Sequence, residues 1–189
     1  MTENYFDGSP EYSRRGIMGF GLNQWSKRYI RYILARMTSY VEVQSGKPDK
    51  FVDYSSPYIK KPYEIEHIWA DHYDRHRDEF DNPIEFIDLR NQIGDLILLP
   101  KPVNQSLSDL SYQDKMPHYI KENLLAQSLH AQAYERNPDF VTFIQSSGLP
   151  FRPHETFRKD DIITRAMLYK RLCEKIWSID KLDEIINTG

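Results

Sequence analysis

The sequence of 189 residues contains one cysteine, Cys173. A single thiol excludes an intrachain disulfide framework and a cysteine-rich zinc site, because both need several cysteines. No apolar run approaches the roughly 20 residues of a membrane-spanning helix, and no secretory signal pattern is recognisable. We therefore expect a cytoplasmic protein that does not enter a membrane.

Positive charge is also in short supply. The chain has 25 Lys and Arg against 28 Asp and Glu, which gives a formal net charge of −3. Proteins that bind nucleic acid are usually basic on the contacting face. If nucleic acid is the partner here, the positive charge must be concentrated locally. A glycine-rich phosphate-binding loop is likewise absent, so the sequence does not contain the motif of a nucleotide-hydrolysing domain.

Material for a hydrophobic core is plentiful. The chain is 40% hydrophobic and includes 13 tyrosines, 9 phenylalanines and 3 tryptophans. Its length suits one well-buried domain and is short for two. We expect an irregular N-terminal arm over residues 1–21 and a single domain over residues 22–189.

An amphipathic helix is expected to open this domain. Apolar side chains recur at steps of three and four residues, which is helical spacing: Leu22, Trp25, Tyr29, Ile33 and Met37. We expect these side chains to form the buried face. The basic residues between them would then form a solvated face: Lys27, Arg28, Arg31 and Arg36.

The middle of the chain alternates between candidate strands and helices. YEIEHI (63–68) and DLILLP (95–100) are candidate strands. A charged loop and a short helix, IEFIDLRNQIG, lie between them, and KPVNQSLSD begins a helix after the second strand. Most of the chain from Tyr112 onward has helical spacing, with Gly148 as a helix stop. The fold class expected is α+β, mostly helical.

The strand–strand–helix order brings three chemically useful residues together. Glu66 and His67 lie at the end of the first strand, and Asn104 lies in the helix that follows the second strand. Hydrolysis of a phosphodiester needs a base for water, a hard cation and oxygen ligands for that cation. Imidazole, carboxylate and amide groups can supply the base and the ligands.

These residues resemble a known nuclease family. The segments Glu66-His67-Ile68 and Gly94-Asp95-Leu96, followed by Asn104, Tyr112 and Lys115, resemble the HNH (ββα-metal, His-Me finger) core. The version most similar is the C-terminal domain of GmrSD-type modification-dependent restriction endonucleases. The resemblance extends from about Trp25 to Trp177. It implies a ββα-metal core over about residues 62–110 with flanking helices.

The resemblance also implies roles and partners. His67 would be the general base, and Glu66 and Asn104 would bind one Mg²⁺ or Mn²⁺. The expected activity is that of a DNA endonuclease or nickase that restricts modified or foreign DNA, a form of antiviral defence. In this family a nucleotide-hydrolysing domain usually precedes the nuclease domain, in the same or a partner chain. The expected partners are therefore DNA and such a domain.

One residue departs from the family pattern. Asp95 stands where the HNH signature has its middle Asn, which braces the loop behind the base. A carboxylate can accept hydrogen bonds but cannot donate as an amide does. We expect Asp95 to accept backbone N–H groups between Ile68 and Ile93 and to stay ionised, since such donors favour the charged form.

Five basic residues are candidates for contact with DNA phosphates, although ordinary solvation would explain them equally well: Lys101, Lys115, Arg165, Lys170 and Arg171. Two alternative functions stay open. The chain could be a catalytically weak DNA-binding module with a degenerate HNH site. It could instead be a helical adaptor in which the Glu-His-Asn arrangement is accidental.

Overall fold

The computed structural model describes residues 16–178. Two strands and nine α-helices lie in this range. The strands are β1 (Tyr63–His67) and β2 (Leu96–Pro100). The helices are α1 (Lys27–Gln44), α2 (Phe51–Ser55), α3 (Pro83–Arg90), α4 (Lys101–Leu107), α5 (Tyr112–Tyr119), α6 (Leu124–Gln127), α7 (Gln132–Arg136), α8 (Pro138–Ser147) and α9 (Lys159–Ile176). The expectation of a mostly helical α+β fold is confirmed.

The two strands form an antiparallel sheet at the centre of the domain. Tyr63 pairs with Pro100 and His67 pairs with Leu96. β2 is buried on both faces, because its side chains alternate between two hydrophobic clusters. Leu96 and Leu98 pack into a cluster with α1, α8 and α9, whereas Ile97 and Leu99 pack into a cluster around Trp69, Phe86 and Tyr119. This explains why the sequence of β2 is uniformly apolar.

α4 begins where β2 ends and packs on both strands. Lys101 N–H donates to the carbonyl of Pro62 at 2.8 Å, so the start of the helix is tied to the residue before β1. The order strand, strand, helix expected from the sequence is therefore present, and it places Asn104 beside β1.

The expected apolar face of α1 is buried only in part: Met37 is buried and Leu22 and Ile33 pack against the core, but the aromatic residues do not. The buried residues of α1 include Ile30, Leu34, Met37 and Val41, while Trp25 and Tyr29 are 81% and 51% exposed. The spacing of the aromatic residues is helical, as expected, but they lie on the solvent side with the basic residues. The side chains of Ile30 and Leu34 outcompete them for the core because aliphatic side chains carry no polar atom that needs a partner.

The helical spacing expected from Tyr112 onward corresponds at first to three short helices, α5, α6 and α7. Ser111 and Asn123 cap α5 and α6 by accepting the N–H groups of Asp114 and Ala126. Asn123 also donates to the carbonyl of Leu98 at 2.7 Å, so its side chain joins α6 to β2. α8 ends as expected at Gly148, whose φ of 64° is readily adopted by glycine.

The expected N-terminal arm falls partly outside the described residues, which begin at Gly16. From there the chain already packs on the domain. Ile17 is buried in the cluster with α1 and α9, and Gly21 forms an isolated β-bridge with Gln92. The packed domain therefore starts before residue 22. None of the helices among residues 16–178 is long and apolar enough to cross a bilayer.

Candidate active site

The site lies along the edge of β1 that does not pair with β2. The carbonyl of Ile65 accepts the Nδ2 of Asn104 at 3.2 Å, and the carbonyl of His67 accepts the ammonium of Lys115 at 2.7 Å. These carbonyls are two residues apart, so the amide and the ammonium meet this edge roughly 7 Å from each other. α4 and α5 therefore place Asn104 and Lys115 at neighbouring positions along the unpaired edge of β1.

Glu66 is buried between these groups. Its Oε1 accepts Lys115 Nζ at 2.7 Å and the Tyr119 hydroxyl at 3.0 Å. Burial raises the pKa of Glu66 above its ordinary value, although Lys115 and the hydrogen bond from Tyr119 act in the opposite direction. The ion pair holds the carboxylate in one place without filling both of its oxygens. Within the described residues Oε2 makes no hydrogen bond.

His67 is held by Asn91, the residue that follows α3. Its Nε2 lies 3.1 Å from Asn91 Oδ1. Because a carbonyl oxygen can only accept, Nε2 carries the hydrogen in the neutral ring, and the lone pair is on Nδ1. Burial, reinforced by the charge of Arg90, lowers the pKa of His67 to about 4. The imidazole is therefore neutral at physiological pH.

Glu66 and His67 leave β1 on opposite faces. Glu66 is paired with Ile97 and His67 with Leu96, and adjacent residues of a paired strand alternate between the faces of a sheet. β1 ends at His67, as expected. A ligand that reaches both side chains must therefore lie across the unpaired edge and end of β1.

Asp95 joins the end of β1 to the start of β2. Its Oδ1 accepts the Trp69 N–H at 3.1 Å, and its backbone carbonyl accepts the Ile68 N–H at 2.8 Å. The expected backbone donor is present. The expectation of an ionised carboxylate is not supported, because burial outweighs that hydrogen bond and raises the pKa of Asp95 well above its usual range.

The free oxygen atoms of the side chains around β1 are of the kind that a hard cation binds. Glu66 Oε2 and Asn104 Oδ1 are oxygen donors with no hydrogen-bond partner among the described residues, while Oε1 and Nδ2 are held by protein groups. Partners of this kind orient metal ligands. No group of three or more His, Cys, Asp or Glu residues in the described range is arranged to bind a metal. Mg²⁺ needs only one or two carboxylates and completes its shell with water and phosphate.

The five basic candidates for DNA contact separate into two groups. Lys115 and Arg165 are 1% and 2% exposed, so the expectation of DNA contact is wrong for them. Lys115 is bound to Glu66, and Arg165 donates to the carbonyl of Leu125. The other three lie at the surface. Lys101 is paired with Glu64 and Lys170 with Glu174, whereas Arg171 is exposed.

Three neighbours of the site were not foreseen from the sequence. Asn91 orients His67, Arg90 donates to the carbonyl of Trp69 at 3.1 Å and lowers the pKa of His67, and Tyr119 binds Glu66. Arg90 and Asn91 immediately precede the segment containing Gly94 and Asp95. Their position in the sequence was the only available signal, because no spacing rule connects them to a histidine 24 residues earlier.

Searches of curated proteins and of solved structures found no match. A comparison with protein families did. The family described as GmrSD restriction endonucleases, C-terminal domain, matches residues 10–143, which include β1, β2, α4 and the four residues Glu66, His67, Asp95 and Asn104. This match covers more than half of the chain and supports a nuclease role. The chain belongs to the family of C-terminal domains of GmrSD restriction endonucleases.

Proposed function

We propose that this chain is a metal-dependent DNA endonuclease or nickase of the HNH (His-Me finger) type, which hydrolyses phosphodiester bonds. The observation that carries the proposal is the state of His67. Its ring is neutral at physiological pH and Asn91 fixes its tautomer, so Nδ1 can accept a proton from water.

Asn91 and Arg90 have different effects on proton transfer by His67. When Nδ1 takes a proton from the attacking water, the ring becomes positively charged while Asn91 Oδ1 continues to accept from Nε2. The nearby charge of Arg90 disfavours that state. Proton uptake is therefore transient, and the ring returns the proton readily.

Glu66 and Asn104 would hold one Mg²⁺ or Mn²⁺ through Oε2 and Oδ1. When bound, the cation would neutralise the charge that develops on the leaving oxygen. Lys115 and Tyr119 position the carboxylate by holding its other oxygen. Asn104 is oriented in the same way, because its Nδ2 is fixed to the carbonyl of Ile65.

The biological setting is proposed to be restriction of modified or foreign DNA in the cytoplasm, as a form of antiviral defence. Family membership supports this setting. Nucleotide hydrolysis would be provided by another domain or a partner subunit, since the sequence contains no phosphate-binding loop.

A cleavage assay and a binding assay together test the proposal. Supercoiled plasmid should be nicked or linearised with Mg²⁺ or Mn²⁺ and should stay intact with a chelator. The same ions should raise the melting temperature of the protein by mass action. Asn104→Ala should lose that increase, whereas Gln105→Ala, an exposed neighbour on α4, should keep it. Absence of both cleavage and a metal-dependent melting shift would reject the proposal.

One observation favours a second candidate, a DNA-binding module with weak catalysis. Lys115 already compensates the charge of Glu66, so this carboxylate attracts a cation less strongly than a free one would. The two candidates differ in two results. The binding module would retain plasmid without cutting it, and its melting temperature would not respond to divalent ions.

A further inference from the structure

α1 presents an aromatic and basic surface that the proposed chemistry does not use. Arg28, Tyr29, Tyr32 and Arg36 lie within an arc of about 100° on α1 at 3.6 residues per turn, and Trp25 lies on the turn just before the helix. These five residues are here named the α1 face. Trp25, Tyr29 and Tyr32 are 81%, 51% and 49% exposed. Arg28 lies over the ring of Tyr29, and Arg36 lies over the ring of Phe51, which Tyr32 meets edge-on.

The positive charge near the start of α1 is not neutralised within the described structure. Among residues 16–178, Lys27, Arg28 and Arg31 form no salt bridge, while other basic residues such as Lys101, Arg158 and Lys170 are paired with carboxylates. Residues 12–41 contain no Asp or Glu. This stretch is therefore the local concentration of charge that an acidic chain needs in order to bind a polyanion.

Trp25 lies on a hydrogen-bonded turn just before α1. Asn23 Oδ1 accepts the N–H groups of Trp25 and Ser26, and Ser26 Oγ accepts the Asn23 N–H and donates to the carbonyl of Gly21. These bonds fix the backbone that carries the indole. A fixed backbone lowers the entropy that is lost when a ligand stacks on the exposed indole.

The α1 face adjoins the candidate active site through a short chain of contacts. The N–H of Leu22 donates to the carbonyl of Asn91 at 2.7 Å, and the amide oxygen of Asn91 contacts His67. Gly21 also bridges to Gln92. A strand that passes His67 can therefore continue onto the turn before α1.

We propose that the α1 face binds an unpaired stretch of the DNA substrate next to the cleaved bond. Bases stack on Trp25 and Tyr29, and Arg28 contacts the backbone phosphates. Stacked aromatic rings together with guanidinium groups are the surface that single-stranded nucleic acid requires. The proposal rests on the proposed nuclease function, because that function supplies DNA as the partner.

The first test measures binding without cleavage. An oligo-dT is titrated into the His67→Ala protein in a chelator, and both affinity and tryptophan fluorescence are recorded. Trp25→Ala and Tyr29→Ala should each weaken binding by about 5- to 100-fold. Tyr58→Ala, an exposed tyrosine outside α1, should bind as the parent does. Trp69 is buried, and Trp177 lies at the end of α9 outside the α1 face, so most of the quenching should disappear in Trp25→Ala.

The second test isolates the phosphate contact. Arg28→Gln should reduce the slope of log K against log salt concentration by about 0.7, which is the value for one contact to a single strand. Arg136→Gln, an exposed arginine on α7, should leave the slope unchanged. Equal slopes in the two variants would overturn the assignment of Arg28.

The outcomes separate this proposal from the nuclease function. If oligo-dT binds through the α1 face but the wild-type protein shows no metal-dependent cleavage, the assignment of this surface to unpaired DNA stands and the nuclease function is rejected. Cleavage with unchanged affinity in Trp25→Ala and Tyr29→Ala would do the reverse. Equal binding of a duplex and of oligo-dT would overturn the assignment of an unpaired stretch. Binding of a protein partner instead of DNA by the α1 face would overturn the proposal as a whole.

Discussion

At the scale of single residues, the ion pair between Lys115 and Glu66 dominates the interior of the site. Both side chains are almost fully buried, with Nζ and Oε1 2.7 Å apart. Lys115→Met should destabilise the protein by about 3–5 kcal/mol, because it leaves a buried carboxylate without its partner. Urea unfolding measures the change. Lys170→Met, which removes a partly exposed pair with Glu174, should change stability by less than about 1 kcal/mol.

A second substitution makes this prediction specific. Adding Glu66→Gln to Lys115→Met removes the stranded charge and should recover a large part of the lost stability. If the loss of unfolding free energy in the double variant equals the sum of the losses in the two single variants, the broken ion pair is not the cause of the destabilisation in Lys115→Met.

Asp95 gives a prediction about both activity and pH. Asp95→Asn should keep cleavage within a few-fold, because an amide oxygen still accepts the Trp69 N–H. The raised pKa of Asp95 means that the folded state binds a proton more tightly than the unfolded state does. Wild-type stability should therefore fall relative to Asp95→Asn as pH rises above about 4. Unfolding curves from pH 4 to 8 test this, and the opposite trend would contradict a buried, proton-binding Asp95.

The partly buried imidazole of His67 predicts the opposite pH dependence. Its pKa of about 4 in the folded state lies below the unfolded value of about 6.5, so the unfolded state takes up the proton first. Stability should be lost as pH falls from about 6.5 towards 4, and His67→Gln should reduce that loss. NMR titration of the imidazole should give a midpoint near 4. A midpoint near 6.5 would show that the ring is solvated.

The sequence identified residues that the fold places around the unpaired edge and end of β1, but it was poor at indicating which charged side chains are buried. Glu66, His67 and Asn104 were found from residue type and order. Lys115 and Arg165 were assigned to the surface, since charged side chains are almost never buried unless they are paired. Their partners come from distant segments, Glu66 for Lys115 and Leu125 for Arg165, and sequence spacing does not reveal such pairs.

At the scale of elements, strands were easier to predict than helix orientation. β2 is a continuous apolar run, and this is the pattern of a strand that is buried on both faces. α1 offered two apolar stripes, one aromatic and one aliphatic. Periodicity identifies a helix but does not choose between stripes, and tertiary packing placed the stripe containing Ile30 and Leu34 inside.

Contact between α9 and the turn before β2 explains the glycine of the motif. A methyl group at Gly94 would lie 2.1 Å from the carbonyl oxygen of Ile162 and 2.9 Å from the nitrogen of Ala166. Gly94→Ala should therefore push α9 away and destabilise the protein by about 1–3 kcal/mol or more. Gly21→Ala is the control, because its nearest neighbour would be 3.7 Å away. Equal melting temperatures for Gly94→Ala and the wild type would contradict this packing.

At the scale of the whole molecule, an acidic chain concentrates positive charge on one helix beside a buried polar site. α1 contributes basic residues from a stretch, residues 12–41, that contains no Asp or Glu, whereas some basic residues elsewhere, including Arg158 and Lys101, are paired with carboxylates. α9 lies beyond the matched family segment yet packs directly on Gly94. The site therefore depends on packing across the full described length of the chain.

The central claim is that His67 acts as the base in DNA hydrolysis, and plasmid cleavage by His67→Ala tests it most directly. The rate with Mg²⁺ or Mn²⁺ should fall by about 10²–10⁴ relative to the wild type. The melting shift caused by the metal should persist, since Glu66 and Asn104 are unchanged. Cleavage by His67→Ala at the wild-type rate would contradict the account.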